Sequence, residues 1–215
     1  MKLYMHTAAC SLSPHIVCRE LGLEVELIMV DRASHRTSDG RDYLAINGNG
    51  YVPMLELDDG TRLMEGPAIV QYLADRKPEA GLVPPPGSVE RAQLQGWLNF
   101  ISTELHKPLA MQFNPDYAAS RDALRALVVK RLTWLAEQLT GDYLMGEHFS
   151  VADAYLFVCL NWTQFLKLDL SPWPNLGDFM GRVAARPAAR AALAAEGLVP
   201  SDSGGAYFRL PMAAE

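Results

Sequence analysis

The chain has 215 residues, 49% of them apolar and 20% charged, enough to bury roughly 70% of its unfolded surface as one large domain or two small ones. That balance excludes a disordered or collagen-like chain, and 19 Lys and Arg against 25 Asp and Glu, a net charge of −6, leave no basic footprint for nucleic acid. Three cysteines, Cys10, Cys18 and Cys159, contain no C-x-x-C pair, which argues against a disulfide framework or a zinc-thiolate site and suits a reducing compartment.

In chain order, short apolar strings come first. Lys2 to Met5 and Val25 to Val30 read as strands. Between them Ser13-Pro14 opens a helix that Gly22 closes, with serine as cap and proline at the first position. Arg41 to Ile46 adds a shorter helix. Met54 to Leu57 and Thr61 to Met64, joined by Asp58-Asp59-Gly60, read as a β-hairpin. Apolar residues at three- and four-residue spacing then predict a helix from Pro67 to Ala74. Between Arg76 and Ser88, four prolines and two glycines interrupt the periodic pattern, a stiff connection that no helix crosses. The predicted division is an α/β domain over residues 1–80, a linker over 81–87, an all-helical domain over 88–200 and a tail over 201–215.

Within the helical half, Val89 to Phe113, Asp116 to Leu139, Val151 to Leu168, Leu176 to Ala185 and Ala188 to Ala195 are amphipathic or apolar stretches. Leu94, Trp97, Leu98, Ile101, Leu105 and Leu109 form one stripe; Leu124, Leu127, Val128, Leu132 and Leu135 form another, with Arg131 at its flank. Ser150 with Asp153 three residues on is a capping box opening a helix that must be buried.

The residues with chemical potential cluster at turns of the first half. Cys10 lies after the first strand and before the helix, where unpaired backbone N–H groups lower a thiol pKa; its plainer reading is a small buried hydrophobe. Cys18 and Cys159 sit among apolar neighbours and read as core. Val52-Pro53 precedes the third strand, where a proline turns the chain and opens Val52's main chain to a ligand. Glu65-Gly66 stands at a helix start, where Gly66 offers an N–H to an anion and Glu65 accepts from an ammonium; the plainer reading is a turn into the helix.

These segments together, Met1-Lys2-Leu3-Tyr4, Ala9-Cys10-Ser11-Leu12-Ser13-Pro14-His15, Gly50-Tyr51-Val52-Pro53-Met54-Leu55 and Glu65-Gly66-Pro67 through Asp75, resemble a bacterial glutathione S-transferase of the beta class. Trp97 to Lys107 and Ser150 to Tyr155 extend the resemblance over roughly residues 1–200. It implies a thioredoxin-like α/β domain, a helical bundle domain, and a homodimer with its active sites between domains. It further implies that Cys10 faces the glutathione sulfur, that Val52 pairs with the peptide through a cis Pro53, and that Glu65 and Gly66 grip the γ-glutamyl end. His106 and Lys107 approach from the helical domain, His106 as a hydrogen-bonding or electrostatic helper. Asn99 and Glu104 reach the site or its dimer-related neighbour, and helical spacing puts Asn99, Thr103 and His106 on one face. Met111, Phe113, Tyr117 and Trp162 are the implied pocket for a small hydrophobic electrophile.

Three departures stand out. Gly66 replaces a serine, keeping the N–H but losing a hydroxyl; His35 beside Arg36 replaces a lysine, leaving open which meets the glycyl carboxylate; and residues 201–215 run on as a tail or packing segment, with Tyr207 and Phe208 able to cover a neighbouring surface or the substrate pocket. The implied activity is transfer of glutathione's thiolate to an electrophilic or halogenated carbon, with glutathione as cosubstrate and no metal, since His6, His15, His35, His106 and His148 lack the compact spacings of a zinc site. The alternatives are a thiol-disulfide oxidoreductase acting through Cys10 and a non-catalytic glutathione-binding protein. The N-terminus has no signal-peptide core and no apolar run is long enough for a bilayer, so the expected location is the cytoplasm, with no membrane or nucleic-acid partner.

Overall fold

A computed structural model describes residues 1–201 and 207–210. Strand β1 (Lys2–Met5), helix α1 (Leu12–Glu20) and strand β2 (Glu26–Met29) form the first unit, with β1 and β2 parallel as a crossover through α1 requires. After a short α2 (Tyr43–Ile46), β3 (Met54–Glu56) and β4 (Arg62–Met64) make the predicted hairpin, and α3 spans Gly66–Asp75. The sheet order is β2-β1-β3-β4, with β3 antiparallel to β1, and the whole unit is a thioredoxin-like α/β domain. Side chains alternate across it: Leu3 and Met5 enter the large core shared with the helices, while Tyr4 packs with Ile28, Val30, Tyr43 and Met54 beneath α2.

Helix α1 starts earlier than its sequence suggests. Ser11 is the cap residue, Pro14 falls at the third position of the helix, and the Ser11 hydroxyl is committed to His6, accepting from its N–H and donating to its carbonyl at 3.1 Å each. Pro14 still falls in the first turn, where no intrahelical donor is needed. The far end matches expectation: Gly22 is left-handed at φ 59°, and Leu23 N–H to Cys18 O (2.8 Å) with Gly22 N–H to Arg19 O (3.1 Å) complete a Schellman stop.

The second half is helical throughout its main elements: α4 (Val89–Phe100), α5 (Lys107–Phe113), α6 (Arg121–Gln138), α7 (Val151–Asn161), α8 (Pro174–Ala185) and α9 (Pro187–Ala195). The stretch predicted as one helix over Val89 to Phe113 is divided by a π-helical turn, Ile101–His106, in which Lys107 N–H reaches back to Ser102 O. Every residue of α7 is buried. Its capping box forms, with the Asp153 carboxylate accepting from Ser150 N–H (2.8 Å), Ser150 Oγ (2.7 Å) and Leu144 N–H (2.8 Å). The helix ends at Asn161 rather than Leu168; turns follow, with Lys167 left-handed at φ 50°. In α6, Val128, Leu132 and Leu135 are buried as predicted, whereas Leu127 faces solvent.

Polar ties join the halves. Arg91 of α4 chelates the Asp75 carboxylate at the end of α3. Arg186 grips Glu20 through two bonds of 2.6 and 2.9 Å. His15 Nδ1 meets Glu196 Oε1 at 2.9 Å with both side chains fully buried. Because Arg19 Nε donates to His15 Nε2 at 3.3 Å, the imidazole proton sits on Nδ1 and is donated to Glu196. No helix among the described residues is long and apolar enough to cross a membrane.

Candidate active site

The loop after β1, the turn before β3, the start of α3, and the π turn and α5 meet around a cavity of about 880 Å³. One wall holds Cys10, Val52, Pro53, Glu65 and Gly66; the other holds Ser102, His106, Lys107, Phe113, Tyr155, Trp162 and Phe165. Each wall comes from a different half of the chain.

Cys10 Sγ donates to Val52 O at 3.2 Å, and the Val52-Pro53 bond is cis. The backbone N–H groups of Cys10 and Ser11 and the charge of Arg32 favour the thiolate, but burial outweighs them and pushes the thiol up to about 12. The lowered pKa expected from the helix start is therefore overturned: desolvation of the anion exceeds what partial charges at the helix end return. Burial also raises Cys18, to about 12, and Cys159, in keeping with their reading as core.

Glu65 adopts φ 68°, ψ 114°, a region costly for a residue with a Cβ. Its carbonyl accepts from Ala68 and Ile69 N–H at 3.0 Å each. Since Pro67 has no N–H, Gly66 carries the remaining amide of that first turn, at the positive end of α3. A Cβ built on Gly66 would meet only Pro53 Cγ, at 3.7 Å, so the cavity has room for the hydroxyl that glycine lacks.

His106 Nδ1 is hydrogen-bonded to the Tyr155 hydroxyl, and its ring lies edge-on to Trp162 with centroids 4.9 Å apart. Burial, helped by the neighbouring Lys107 charge, lowers its pKa to about 4. At neutral pH the imidazole is uncharged, so the electrostatic form of its expected role gives way to hydrogen bonding alone. Lys107 Nζ stands 5.7 Å from the centre of the exposed Tyr51 ring.

His35, left-handed at φ 52°, lines the cavity, whereas Arg36 points away and donates to Gly40 O at 3.2 Å. His35 Nδ1 is buried with no partner among the described residues. Gly50 accommodates this ring: at φ 69° a Cβ there would come within 3.1 Å of His35 Cε1.

Several predicted residues do not meet the cavity of this chain. Asn99 is exposed on α4, and Glu104 turns to Arg131 with Oε2 2.5 Å from Nε. Thr103 and His106 reach the cavity while Asn99, one turn before Thr103 and accepting its hydroxyl at 3.0 Å through its main-chain carbonyl, does not. Met111 and Tyr117 also lie outside it, the latter exposed in the 3-10 turn Pro115–Ser120 that follows α5. Phe113 and Trp162 do line it, their ring centroids 6.3 Å apart. Sequence reasoning missed Arg32, Ser102, Tyr155 and Phe165 as lining residues; only Tyr155 carried a signal, as the end of the Ser150 motif. Among the described residues no group of three His, Cys, Asp or Glu is placed to hold a metal ion.

A thioredoxin-like domain presenting a thiol, a cis proline and a helix start to an all-helical partner domain is the architecture of thiol-ligand transferases. Family models agree: residues 8–76 match the glutathione S-transferase N-terminal domain and residues 87–187 its C-terminal domain. The chain is 44% identical over 200 residues to the glutathione S-transferase GstA of Escherichia coli O157:H7, covering 92% of this chain and all of that one. It superposes on a sphingomonad glutathione S-transferase solved with glutathione (TM-score 0.88, 42% identity, 93% and 100% of the two chains). It also superposes on the beta-class enzyme of Sphingomonas chungbukensis (TM-score 0.87, 43% identity, 92% and 99%). The chain belongs to the glutathione S-transferase family, in its bacterial beta class, and is an enzyme of the glutathione transferase type.

Proposed function

We propose that this enzyme joins the sulfur of glutathione to a small hydrophobic electrophile held between its two domains. The observation that carries this reading is the opposition, across one cavity, of a polar wall bearing Cys10, Val52-Pro53 and Glu65-Gly66 and an aromatic wall bearing Phe113, Trp162 and Phe165. Glu65 accepts the γ-glutamyl ammonium, while the Gly66 N–H and the α3 terminus take its carboxylate. Val52 pairs with the peptide, and His35 and Lys107 face the glycyl carboxylate. Cys10 and His106 flank the sulfur as hydrogen-bonding groups, and orientation together with thiolate stabilisation supplies the rate. The commitment of Cys10 Sγ to Val52 O at 3.2 Å, together with the burial that pushes its pKa up, favours transfer from glutathione over direct attack by Cys10 on a disulfide.

Residues 1–80 form the glutathione-binding domain in this reading, 81–87 the linker, 88–200 the helical domain and 201–215 the tail. The active species is a cytoplasmic homodimer, in which Asn99 and Glu104 of one copy approach the site of the other. The test is a conjugation assay over a panel of aromatic halides, epoxides and enones, beside glutathione titration calorimetry and sedimentation. Conjugation by a dimer that binds glutathione is expected. Binding without turnover on any electrophile would favour a glutathione-binding protein, and absence of binding would overturn both.

A further inference from the structure

The aromatic wall of the cavity sits on a turn that a distant piece of chain holds in place. Trp162 and Phe165 both line the cavity, and both belong to the turn that follows the last residue of α7, Asn161. Asn161 is 1% exposed, so its side-chain amide must find partners inside the protein. It finds them in the main chain of Phe208: Phe208 N–H donates to Asn161 Oδ1 at 2.8 Å, and Asn161 Nδ2 donates to Phe208 O at 3.0 Å. The two bonds are reciprocal, so the amide has one workable orientation and engages the strand as a neighbouring strand would. Gln164 adds a third contact, with Nε2 2.9 Å from Phe208 O and 2.9 Å from Asn161 Oδ1.

Phe208 is itself fixed from both sides. Phe208–Arg209 is a strand (β6) antiparallel to Val199–Pro200 (β5), which follows α9, and Ser201 N–H donates to Tyr207 O at 2.8 Å. Its ring stands 6.2 Å from that of Phe157, one helical turn before Asn161. The segment therefore lies on the outer side of the turn whose inner side presents Trp162 and Phe165 to the cavity. Residues 202–206 and 211–215 of the predicted tail lie outside the described residues; Tyr207 and Phe208 pack against the core of the helical domain, Leu210 is exposed, and none of residues 207–210 lines the cavity.

We infer that Tyr207–Arg209 is a positioning strap for the electrophile wall, with Phe208 and Asn161 as its positioning residues. It rests on the proposed reading that Trp162 and Phe165 receive the electrophile. Without the strap, Asn161 keeps a buried amide with neither main-chain partner, and the turn relaxes to hydrate it. Trp162 is also tied to the Cys10 loop through Ala8 O at 2.8 Å, but Val52, Pro53, Glu65 and Gly66, which hold the peptide in the proposed reading, stand on other elements, so the glutathione KM does not depend on the strap.

The experiment compares the full chain with a chain ending at Ser201 and with Phe208→Ala in the full chain. Both KM values are measured with 1-chloro-2,4-dinitrobenzene as electrophile, together with amide hydrogen exchange over Trp162 to Lys167. Removing the strap is expected to raise the electrophile KM about fivefold while leaving the glutathione KM within about twofold, and to speed exchange in the turn about tenfold. Unchanged exchange and unchanged electrophile KM would overturn the strap. An equal rise in both KM values would also overturn it, since that marks general loosening. Should the shortened chain fail to fold, Asn161→Ala in the full chain, which removes the amide that both main-chain groups of Phe208 engage, carries the same comparison. Should the full chain conjugate nothing, the proposed function fails, while exchange in the turn still decides whether the strap holds it.

Discussion

The indole nitrogen of Trp162 donates to the carbonyl of Ala8 across 2.8 Å. One residue belongs to the helical domain; the other stands two positions before Cys10 and is itself left-handed at φ 60°. Ala8 N–H is held in turn by Glu196 Oε2 at 3.2 Å. The loop that carries the thiol is thus clamped through both main-chain groups of Ala8 by side chains of the helical domain, which makes the geometry of the sulfur site a property of domain packing.

Trp162→Phe keeps an aromatic ring beside His106 and Phe113 but leaves the Ala8 carbonyl without its donor. Loss of this bond is expected to cost about 1–2 kcal/mol of stability. Chemical denaturation measures that loss, and kinetics should show a raised electrophile KM together with a lowered kcat, because wall and loop move as one.

With burial holding Cys10 and Cys18 at about 12 and Cys159 well above its ordinary value, the native thiols are protonated near neutrality. A disulfide reagent at about pH 8 should therefore modify native protein slowly and all 3 cysteines rapidly after unfolding. The linkage has a definite sign: the folded state binds protons that the unfolded state releases above its ordinary thiol pKa of about 8.5, so stability is lost as pH rises from there toward 12. Cys10→Ser should make that alkaline loss shallower.

His106 behaves in the opposite sense. Its folded pKa of about 4 lies below the ordinary value of 6.5, so between these values the unfolded chain binds the extra proton and stability falls as pH falls. Asp153, pushed up to about 6 by burial, opposes it over part of the window, since a carboxyl protonated in the fold favours the fold in acid. The informative quantity is the difference between wild type and His106→Asn, each measured at about pH 7 and about pH 5. His106 is expected to account for about 1–2 kcal/mol of acid destabilisation that the variant lacks.

Gly66→Ser restores a hydroxyl where a new Cβ meets nothing closer than Pro53 Cγ at 3.7 Å. One added hydrogen bond to a carboxylate should lower the glutathione KM about 3- to 10-fold. Calorimetric titration of glutathione into both proteins checks this, and the electrophile KM should stay where it was.

Much of the architecture was readable locally. The Asp58-Asp59-Gly60 turn, with Gly60 at φ 83°, the Schellman stop at Gly22 and the Ser150–Asp153 capping box each depend on a few adjacent residues, and each formed where the spacing put it. The start of α1 was not readable, because the Ser11 hydroxyl is drawn to His6 in the preceding loop. The break inside Val89 to Phe113 was not readable either: a single π turn shifts the phase of every side chain after it, and nothing in Ile101 to His106 announces it.

Residue order alone sufficed for the division into an α/β half and a helical half, for the buried α7, and for the presence of Cys10, Pro53 and Glu65 at element ends, since these follow from periodicity, caps and turn chemistry acting over a few residues. Only the packed molecule decided that Asn99, Glu104, Met111 and Tyr117 stay outside the cavity while Arg32, Ser102, Tyr155 and Phe165 line it. It also decided which way two site groups titrate: burial pushes the Cys10 thiol up and the His106 imidazole down. Both are consequences of desolvation, which depends on every neighbour that excludes water and so belongs to the tertiary structure rather than to any stretch of chain.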